Sequence, residues 1–593
     1  MDKNQHVDVC IVGGGICGIL AAQGCVERGL SFLVFEQGEA LGGCWQTLAN
    51  AYSTLQVRMN VSAAVVATIA TIATIATVAT VAVVRRCDLA PTRPSPPHPT
   101  TSQAFEPNYR WHPDYKLSAD ELTRNSGGVV RDKLLEFARD FGIDARTRLG
   151  TRVDDVREDA DGSFVVISTD LATDEKITTS ARFLCVTCGI LTHVTCGILT
   201  HVTCGILTHD QWTLEERGVH VDRYFGGQVV QAAKLNGVDC PLGTMDLADK
   251  KVVVLGSGSF AAEAFEAAER AGCDDITVVG RPRYRLVLPF SRQYTVSAIA
   301  NAPFVPWSIR MRVALRYVKQ NFYRPCNLLH WAPSGDPGDM DFSGQCNDAY
   351  FRLAYEGKLK CVVDDLFCLS DGTAYLRSGD SLPCDVVVCA SGLKYNMSPP
   401  FLKSLGTDFT QLHNFAFLGR NPRIGCAADF LFAYVPYGPL RQLDMFFHAI
   451  ACCDKGMEDQ MRAALKPTPL PNHGEGYLSG GRTAGSYTFF EYEHWWSMSS
   501  KAVEARVEAM LRTLDVGRSP WAKLVLRAGF VYENTAEWFR CVRRSFVERR
   551  RFPVFGGGGG RGRGRGRGGS TSTATAATTA KAPKATGLKG PSA

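Results

Sequence analysis

Cysteine and histidine recur together in the stretch VTCGILTHVTCGILTHVTCGILTHD, from Val186 to Asp210. Each copy of an octapeptide carries one cysteine and one histidine, and both residue types are common zinc ligands. Within a copy, however, Cys188 and His193 are five residues apart and would face opposite sides of a strand. Every position repeats, whereas a metal site needs only its ligands to recur. We therefore interpret residues 186–209 as a duplicated loop and predict no metal site.

Cys185 and Cys188 form a CxxC motif, the spacing of redox-active dithiols. Such pairs act at the start of a helix, where a thiol pKa is lowered and the two sulfur atoms can meet. Cys185 instead closes the apolar run TSARFLCVT, which predicts a strand, so its side chain would point away from that of Cys188. A disulfide reductase that uses these two cysteines is therefore an alternative function.

Glycines near the N-terminus have the spacing that accommodates a dinucleotide. The stretch VDVCIVGGGICGILAAQGCVERGLSFLVFEQ predicts a strand, a glycine turn, a helix and a second strand. Gly13 allows the tight turn, Gly15 lets the backbone approach a pyrophosphate, and Gly18 lets the helix pack closely on the strand. Glu36 lies 21 residues after Gly15, where a carboxylate can accept hydrogen bonds from ribose hydroxyl groups.

A second copy of this pattern occurs in KKVVVLGSGSFAAEAFEAAERAGCDDITVVGRPRYR. Its glycine-type positions are Gly256, Gly258 and Ala261. The offset that leads to the acid in the first copy leads here to Val279, and no carboxylate stands there. Arg281 and Arg283 follow, and guanidinium groups suit a 2′-phosphate. The second copy therefore predicts a site for NADPH rather than NADH.

Composition narrows the functional classes. The 593 residues are 45% hydrophobic and 21% charged, which is typical of a globular chain with two or three domains. The net charge is +6, but the segment 556–593 holds four Arg, three Lys and no acid, so the remaining body carries a net charge of −1. This excludes the folded body as an electrostatic nucleic-acid binder. The 21 cysteines are scattered and the chain opens without a signal-peptide pattern, which favours a reducing, cytoplasmic setting.

Three further segments resemble those of flavin-containing monooxygenases. EALGGCWQTLANAYSTLQV resembles the GGxW segment through Gly43 and Trp45, and CDVVVCASGLKYN resembles a strand that ends in an ATG-type turn at Gly392. FLGRNPRIGCAADFLFAYVPYGPLRQLDMFFHAI resembles the later part of the flavin domain in plant and algal relatives. The resemblance implies an α/β fold with two dinucleotide-binding, Rossmann-like domains, in which the NADPH domain is inserted in a discontinuous FAD domain.

The same resemblance implies the chemistry. NADPH would reduce FAD, oxygen would form a flavin hydroperoxide, and one oxygen atom would pass to a soft nitrogen or sulfur nucleophile of a small molecule. Asn50, Ser53 and Gln56 follow the GGxW segment and are candidates for polar groups near the flavin ring. One departure concerns FGGQVVQAAKL, where Gln231 stands in place of the family's histidine and cannot hold an imidazolium charge. Oxygenase activity is therefore less strongly predicted than binding of the two nucleotides.

The resemblance also sets the predicted boundaries. Residues 1–210 would form the first part of the FAD domain, 211–375 the NADPH domain, and 376–552 the second part of the FAD domain with C-terminal helices. Residues 58–104 read as a low-complexity insertion; Val61–Val84 is uncharged and long enough for a membrane span, but its five threonines and its Pro-rich flank argue against one. The RG-, Ser-, Thr- and Ala-rich tail 556–593 leaves a further alternative, an RNA-associated protein with a vestigial flavin fold. The sequence does not indicate an oligomeric state.

Overall fold

The computed structural model describes residues 4–47, 127–188, 213–232, 241–280, 285–300, 302, 305, 307–332, 343–390, 399–427, 439–468 and 500–551. The insertion 58–104, the tail 556–593 and the octapeptide copies after Cys188 lie outside these residues. So do six predicted site residues: Asn50, Ser53, Gln56, Arg281, Arg283 and Gly392.

The first sheet is built around β1 (Asn4–Val12), which pairs in parallel with β2 (Phe32–Phe35) on one side and β6 (Lys176–Val186) on the other. Its remaining strands are β3 (Thr147–Arg148), β4 (Thr151–Glu158), β5 (Phe164–Asp170), β18 (Leu412–His413), β19 (Phe417–Leu418) and β20 (Ile424–Cys426). The order is β18-β19-β20-β6-β1-β2-β3, with β4 and β5 as an antiparallel extension of β6. The first sheet thus combines residues from the beginning and the later part of the chain.

Helices cover this sheet because its central strands are apolar on both faces. They are α1 (Ile16–Arg28), α2 (Cys44–Thr47), α3 (Gly127–Asp140), α8 (Pro439–Cys453), α9 (Glu458–Ala464) and α10 (Ser500–Leu514). Helix α1 ends at Gly29, whose φ of 66° is a left-handed conformation that suits glycine. Ile11 of β1, Leu20 of α1 and Phe446 of α8 belong to one buried core. The burial of strands on both faces is what a parallel sheet requires.

The second sheet has five described strands, and every pairing in it is parallel. They are β8 (Gln228–Gln231), β9 (Lys251–Leu255), β10 (Asp275–Gly280), β13 (Leu359–Val363) and β17 (Val386–Cys389), in the order β13-β10-β9-β17-β8. Its helices are α4 (Ser259–Arg270), α5 (Gln293–Ala300), α6 (Trp307–Val318) and α7 (Ala349–Tyr355). The α/β fold with two Rossmann-like units, predicted from the glycine motifs, is confirmed.

Two smaller sheets accompany the second one. One has the order β16-β15-β14-β7, from β7 (His220–Val221), β14 (Leu366–Ser370), β15 (Thr373–Leu376) and β16 (Ser381–Pro383). The other pairs β11 (Arg285–Leu288) with β12 (Ser343–Cys346). The predicted boundary after residue 375 is wrong in one respect: β15 continues to Leu376, and β17 pairs with β8 and β9 of the second sheet. Residues up to Cys389 therefore belong with the second sheet.

The helix α11 (Pro520–Arg551) contacts both the core of the first sheet and a helix of the second sheet. Near its start, Leu526 packs against the core of the first sheet and Arg527 pairs with Asp515 at 2.7 Å. Near its end, the buried carboxylate of Glu548 accepts hydrogen bonds from the backbone N–H groups of Tyr294 (2.9 Å) and Thr295 (2.8 Å). These are first-turn N–H groups of α5, so Glu548 caps a helix that lies more than 250 residues earlier in the chain. Within the described residues, no helix is both long and apolar enough to cross a membrane.

We predict that Glu548→Ala lowers the free energy of unfolding by about 2 to 4 kcal/mol, because two buried N–H donors lose a charged acceptor. Chemical denaturation followed by circular dichroism measures this loss. The matched control is Glu508→Ala, since the side chain of Glu508 is mostly exposed on α10, and its change should stay within about 0.5 kcal/mol. Equal stability of the Glu548 variant and the unsubstituted protein would contradict the capping role.

Candidate dinucleotide-binding sites

The first glycine turn allows three backbone segments to meet. Gly13 has a φ of +110°, and a Cβ added there would lie 2.5 Å from the Cα of Cys188. A Cβ on Gly18 would lie 1.9 Å from the carbonyl oxygen of Gly13. The hydroxyl of Thr187 donates to the carbonyl oxygens of Val12 (3.0 Å) and Gly13 (2.8 Å) and so joins β6 to the turn. Gly13 therefore has the positive φ of a tight turn and Gly18 permits the close approach of α1, and Thr187 is a contributor that the motif did not reveal.

Gly15 differs from these two glycines because a Cβ added to it would make no close contact. It precedes the first residue of α1, and a Cβ added to it would have only the Cα of Gly43 nearby, at 3.7 Å. Gly43 has a φ of +56°, and a Cβ on it would lie 2.9 Å from the Cα of Gly15. The GGxW segment thus approaches the start of α1. Trp45, in α2, is partly buried and packs against the first core.

Glu36 lies directly after β2, at the edge of the same turn. Its Oε2 accepts a hydrogen bond from the N–H of Gly14 and its Oε1 one from the N–H of Gly38, both at 2.6 Å. Burial raises the pKa of Glu36 above its ordinary value, and the N–H groups of Gly38 and Gly14 act in the opposite direction. These two bonds orient the carboxylate and leave each oxygen with a further lone pair for a hydroxyl donor.

The second unit repeats this backbone geometry. Gly256 has a φ of +115°, and Gly258, like Gly15, precedes a helix in an extended conformation. Ala261 is buried. In the first unit the N–H of Gly13 donates to the carbonyl of Phe35, and in the second the N–H of Gly256 donates to the carbonyl of Val279.

These equivalent hydrogen bonds correct the predicted offset by one residue. Phe35 corresponds to Val279, so the counterpart of Glu36 is Gly280 rather than Val279. The absence of a carboxylate at this position is unchanged by the correction. A Cβ on Gly280 would be 3.5 Å from the buried ring of Trp331, which forms a wall that the sequence did not predict. The next residues, Arg281 and Arg283, lie outside the described residues, so their role stays a prediction.

Gln231 is the last residue of β8, the edge strand of the second sheet. It is paired in register with Cys389, the last residue of β17. The position that carries histidine in the family therefore lies at the carboxyl end of a parallel strand, beside the strand that leads into residues 390–392. Ligands of open α/β sheets bind at this edge of the sheet.

The CxxC motif has the placement that the strand pattern predicted. Cys185 is buried in β6 and Cys188 follows that strand, and neither forms a disulfide bond within the described residues. Burial raises the pKa of Cys185 well above its ordinary value and that of Cys188 to about 12. Neither thiol has the lowered pKa of a redox-active pair. Among the described residues, no group of three or more His, Cys, Asp or Glu side chains is placed to hold a metal ion.

We predict that iodoacetamide labels Cys188 very slowly in the folded protein at pH 8. With a pKa of about 12, roughly one thiol in ten thousand is ionised at that pH, and the fraction rises tenfold for each pH unit below the pKa. Mass spectrometry after timed quenching measures the labelling, and the same protein in denaturant is the control that should react rapidly. Rapid labelling of Cys188 in the folded protein would contradict this environment.

The fold and the glycine turns define a chain with two dinucleotide-binding-type units. Residues 11–70 match the family described as NAD(P)-binding Rossmann-like domain. A probable FAD-binding monooxygenase, AlmA, of Acinetobacter baylyi is 24% identical over 175 residues, which cover 25% of this chain and 35% of that protein. The chain therefore spans only about a third of that relative. A putative FAD-containing monooxygenase, MymA, of Mycobacterium tuberculosis is 22% identical over 428 residues, 66% of this chain and 71% of the relative.

Two solved structures are also similar to this chain. An open crystal structure of cyclohexanone monooxygenase covers 76% of this chain and 88% of its own, with 12% identity and a TM-score of 0.45. An oxidised steroid monooxygenase bound to NADP covers 76% and 86%, with 14% identity and a TM-score of 0.46. The AlmA and MymA relatives confirm the similarity to flavin-dependent monooxygenases that the three segments predicted.

Proposed function

We propose that this chain is a flavoprotein monooxygenase that binds FAD at the first unit and NADPH at the second. The observation that carries the proposal is the repeated turn: in each of the two larger sheets, a parallel strand leads through a glycine of positive φ and an extended glycine into a helix. The names of the AlmA and MymA relatives support the same class. In this proposal the first sheet, from both ends of the chain, is the FAD domain.

The residues of the first unit fit an FAD molecule. The start of α1 offers backbone N–H groups and a favourable dipole to a pyrophosphate, and Gly15 and Gly43 keep side chains out of its path. Glu36 is held by Gly14 and Gly38 in an orientation that lets it accept from ribose hydroxyl groups. Gly13 and Gly18 hold the turn, Trp45 supports the GGxW segment, and Gly392 would lie near the cofactor after β17. Asn50, Ser53 and Gln56 remain our candidates for contacts with the flavin ring.

The second unit would hold NADPH. Gly256 and Gly258 shape the turn, Ala261 packs the helix on the sheet, and Gly280 leaves the position of the ribose carboxylate empty. Arg281 and Arg283 would then bind the 2′-phosphate. When bound, the pair of nucleotides supplies hydride transfer and oxygen activation, and the chain supplies orientation and exclusion of water. The substrate would be a small molecule with a soft nitrogen or sulfur nucleophile, and molecular oxygen the co-substrate.

Product analysis tests the reaction class. The purified protein is incubated with NADPH, isotopically labelled oxygen and a panel of thioethers and tertiary amines. A monooxygenase places one labelled atom in the sulfoxide or N-oxide for each NADPH consumed. Recovery of all reducing equivalents as hydrogen peroxide across the panel, or turnover of disulfides in place of oxygen, would contradict the proposal.

We predict that Gly15→Val yields folded but colourless protein. A Cβ at Gly15 makes only an ordinary contact with Gly43, at 3.7 Å, so the substitution is expected to block the approach of a pyrophosphate and to leave the backbone in place. Absorption spectra report the flavin content and circular dichroism the fold. Gly18→Val is the matched comparison: its Cβ would overlap the carbonyl of Gly13, so that variant should lose the fold. A yellow Gly15 variant with full flavin content would refute the assignment.

Nucleotide choice gives a second prediction. One charge-assisted hydrogen bond contributes about 1.5 to 3 kcal/mol, so Arg281→Ala should weaken apparent NADPH affinity about 10- to 150-fold and leave NADH little changed. Rates of flavin reduction at varied nucleotide concentration measure both. Arg324→Ala is the control, because Arg324 is exposed and bonds Gln320. Equal use of both nucleotides before and after the Arg281 substitution would show that this arginine has no such role.

The disulfide-reductase alternative is weaker. It would need Cys185 and Cys188 to exchange with a bound disulfide, and burial raises the pKa of both thiols. Replacing Cys185 with Ser separates the two classes, since a reductase would lose all disulfide turnover and a monooxygenase would keep NADPH oxidation.

A further inference from the structure

The outward face of α11 carries large apolar side chains and arginines that are exposed in the described fold. At its C-terminal half, Phe539, Arg543, Phe546 and Arg550 follow one another at spacings of four, three and four residues, which places them on one face of the helix. Phe539 and Phe546 are each 60% exposed. The opposite face, with Cys541, Arg544, Ser545 and Glu548, is buried.

The same face continues toward the start of the helix. Trp521 is 66% exposed, and Leu524 and Val525 are more than half exposed. Trp521 and Val525 fall on the line of Phe539 by helical periodicity, with Leu524 beside them. We call this set, from Trp521 to Arg550, the outer stripe. A helix of 32 residues is about 48 Å long. The outer stripe extends along most of the length of this helix.

Charge distinguishes the outer stripe from an ordinary protein-binding face. Helix α11 has eight basic and three acidic residues, a net charge of +5. Of the three acids, Glu548 is buried on the opposite face, and Glu533 and Glu537 do not fall in the register of the stripe. The chain that follows the helix adds four Arg, three Lys and no acid in residues 556–593. Positive charge is thus concentrated at this end of the chain, and the residues before the helix carry a net charge of −6.

We propose that the outer stripe binds an anionic lipid surface, with α11 lying parallel to the membrane plane. Phe and Trp side chains enter the boundary between headgroups and acyl chains, and the arginines bind lipid phosphate and carboxylate groups. A second copy of the chain fits less well, because two helices of charge +5 would be brought side by side without an acid between them. RNA also fits less well: the aromatic rings of the stripe could stack on bases, but Leu524 and Val525 offer no such plane, whereas the boundary of a lipid layer accepts both kinds of side chain.

The test is co-sedimentation of the full-length protein with unilamellar vesicles. The vesicles contain phosphatidylcholine alone, or phosphatidylcholine with about 30% of the anionic lipid phosphatidylserine. The protein should sediment with the anionic vesicles, and binding should fall as salt is raised. Arg543→Glu with Arg550→Glu, and separately Phe539→Ala with Phe546→Ala, should each weaken binding about tenfold or more. All four side chains are exposed, so these variants should keep the fold, as checked by circular dichroism.

Matched controls come from other surfaces of the fold. Lys403→Glu with Lys455→Glu reverses two exposed charges, and Phe367→Ala with Tyr375→Ala removes two exposed aromatic rings. Both should bind as the unsubstituted protein does. No sedimentation with anionic vesicles, or sedimentation that neither stripe variant weakens, would overturn the proposal. Dimerisation in sedimentation velocity without vesicles, lost with the phenylalanine pair and accompanied by no vesicle binding, would assign the stripe to a second copy instead.

Discussion

The structure depends on the contact between the carbonyl of Gly13 and the backbone of Gly18. A Cβ on Gly18 would stand 1.9 Å from that oxygen, so only a glycine permits α1 to lie against the turn that leaves β1. This turn also packs against the backbone of Cys188. The hydroxyl of Thr187, which follows β6, donates to the carbonyl groups of Val12 and Gly13. Because three segments meet here without side chains between them, the start of α1 has one position relative to the sheet. The same position places Gly43 beside Gly15 at the start of the helix.

The relation between the two halves rests on different physics. Nothing in the glycine turns fixes one sheet against the other, whereas α11 contacts both. Leu526 belongs to the packing of the first core, and Trp538 donates to the carbonyl of Ala298 in α5 at 2.9 Å. Glu548 of α11 adds a buried charge, and its partners are N–H groups at the start of α5. A buried carboxylate is stable only with its donors in place, so α5 and α11 keep a single register.

The sequence predicts these features unequally. Both Rossmann-like units could be identified because a glycine turn between a strand and a helix is a local pattern. The placement of β17 in the second sheet could not, because strand order depends on contacts between distant segments; the boundary after residue 375 was wrong for that reason. For the same reason the sequence did not predict three further contacts: the pairing of Glu548 with α5, the hydroxyl bridge of Thr187 and the wall formed by Trp331. The burial of Cys185 was predictable, because the apolar run around it already indicated a strand.

Comparison of the two turns explains why one has a carboxylate and the other has none. Gly14 has no side chain because a Cβ there would lie 2.9 Å from Oε2 of Glu36 and 2.5 Å from Leu41. By the same correspondence, the equivalent residue of the second unit is Ser257, and Gly280 stands at the position of Glu36. In the first unit a glycine in the turn accompanies an acid after the strand, and in the second unit a serine in the turn accompanies a glycine after the strand. Loss of the acid from the second unit is part of its packing, and the same loss removes the negative charge that would repel a phosphate at the ribose position.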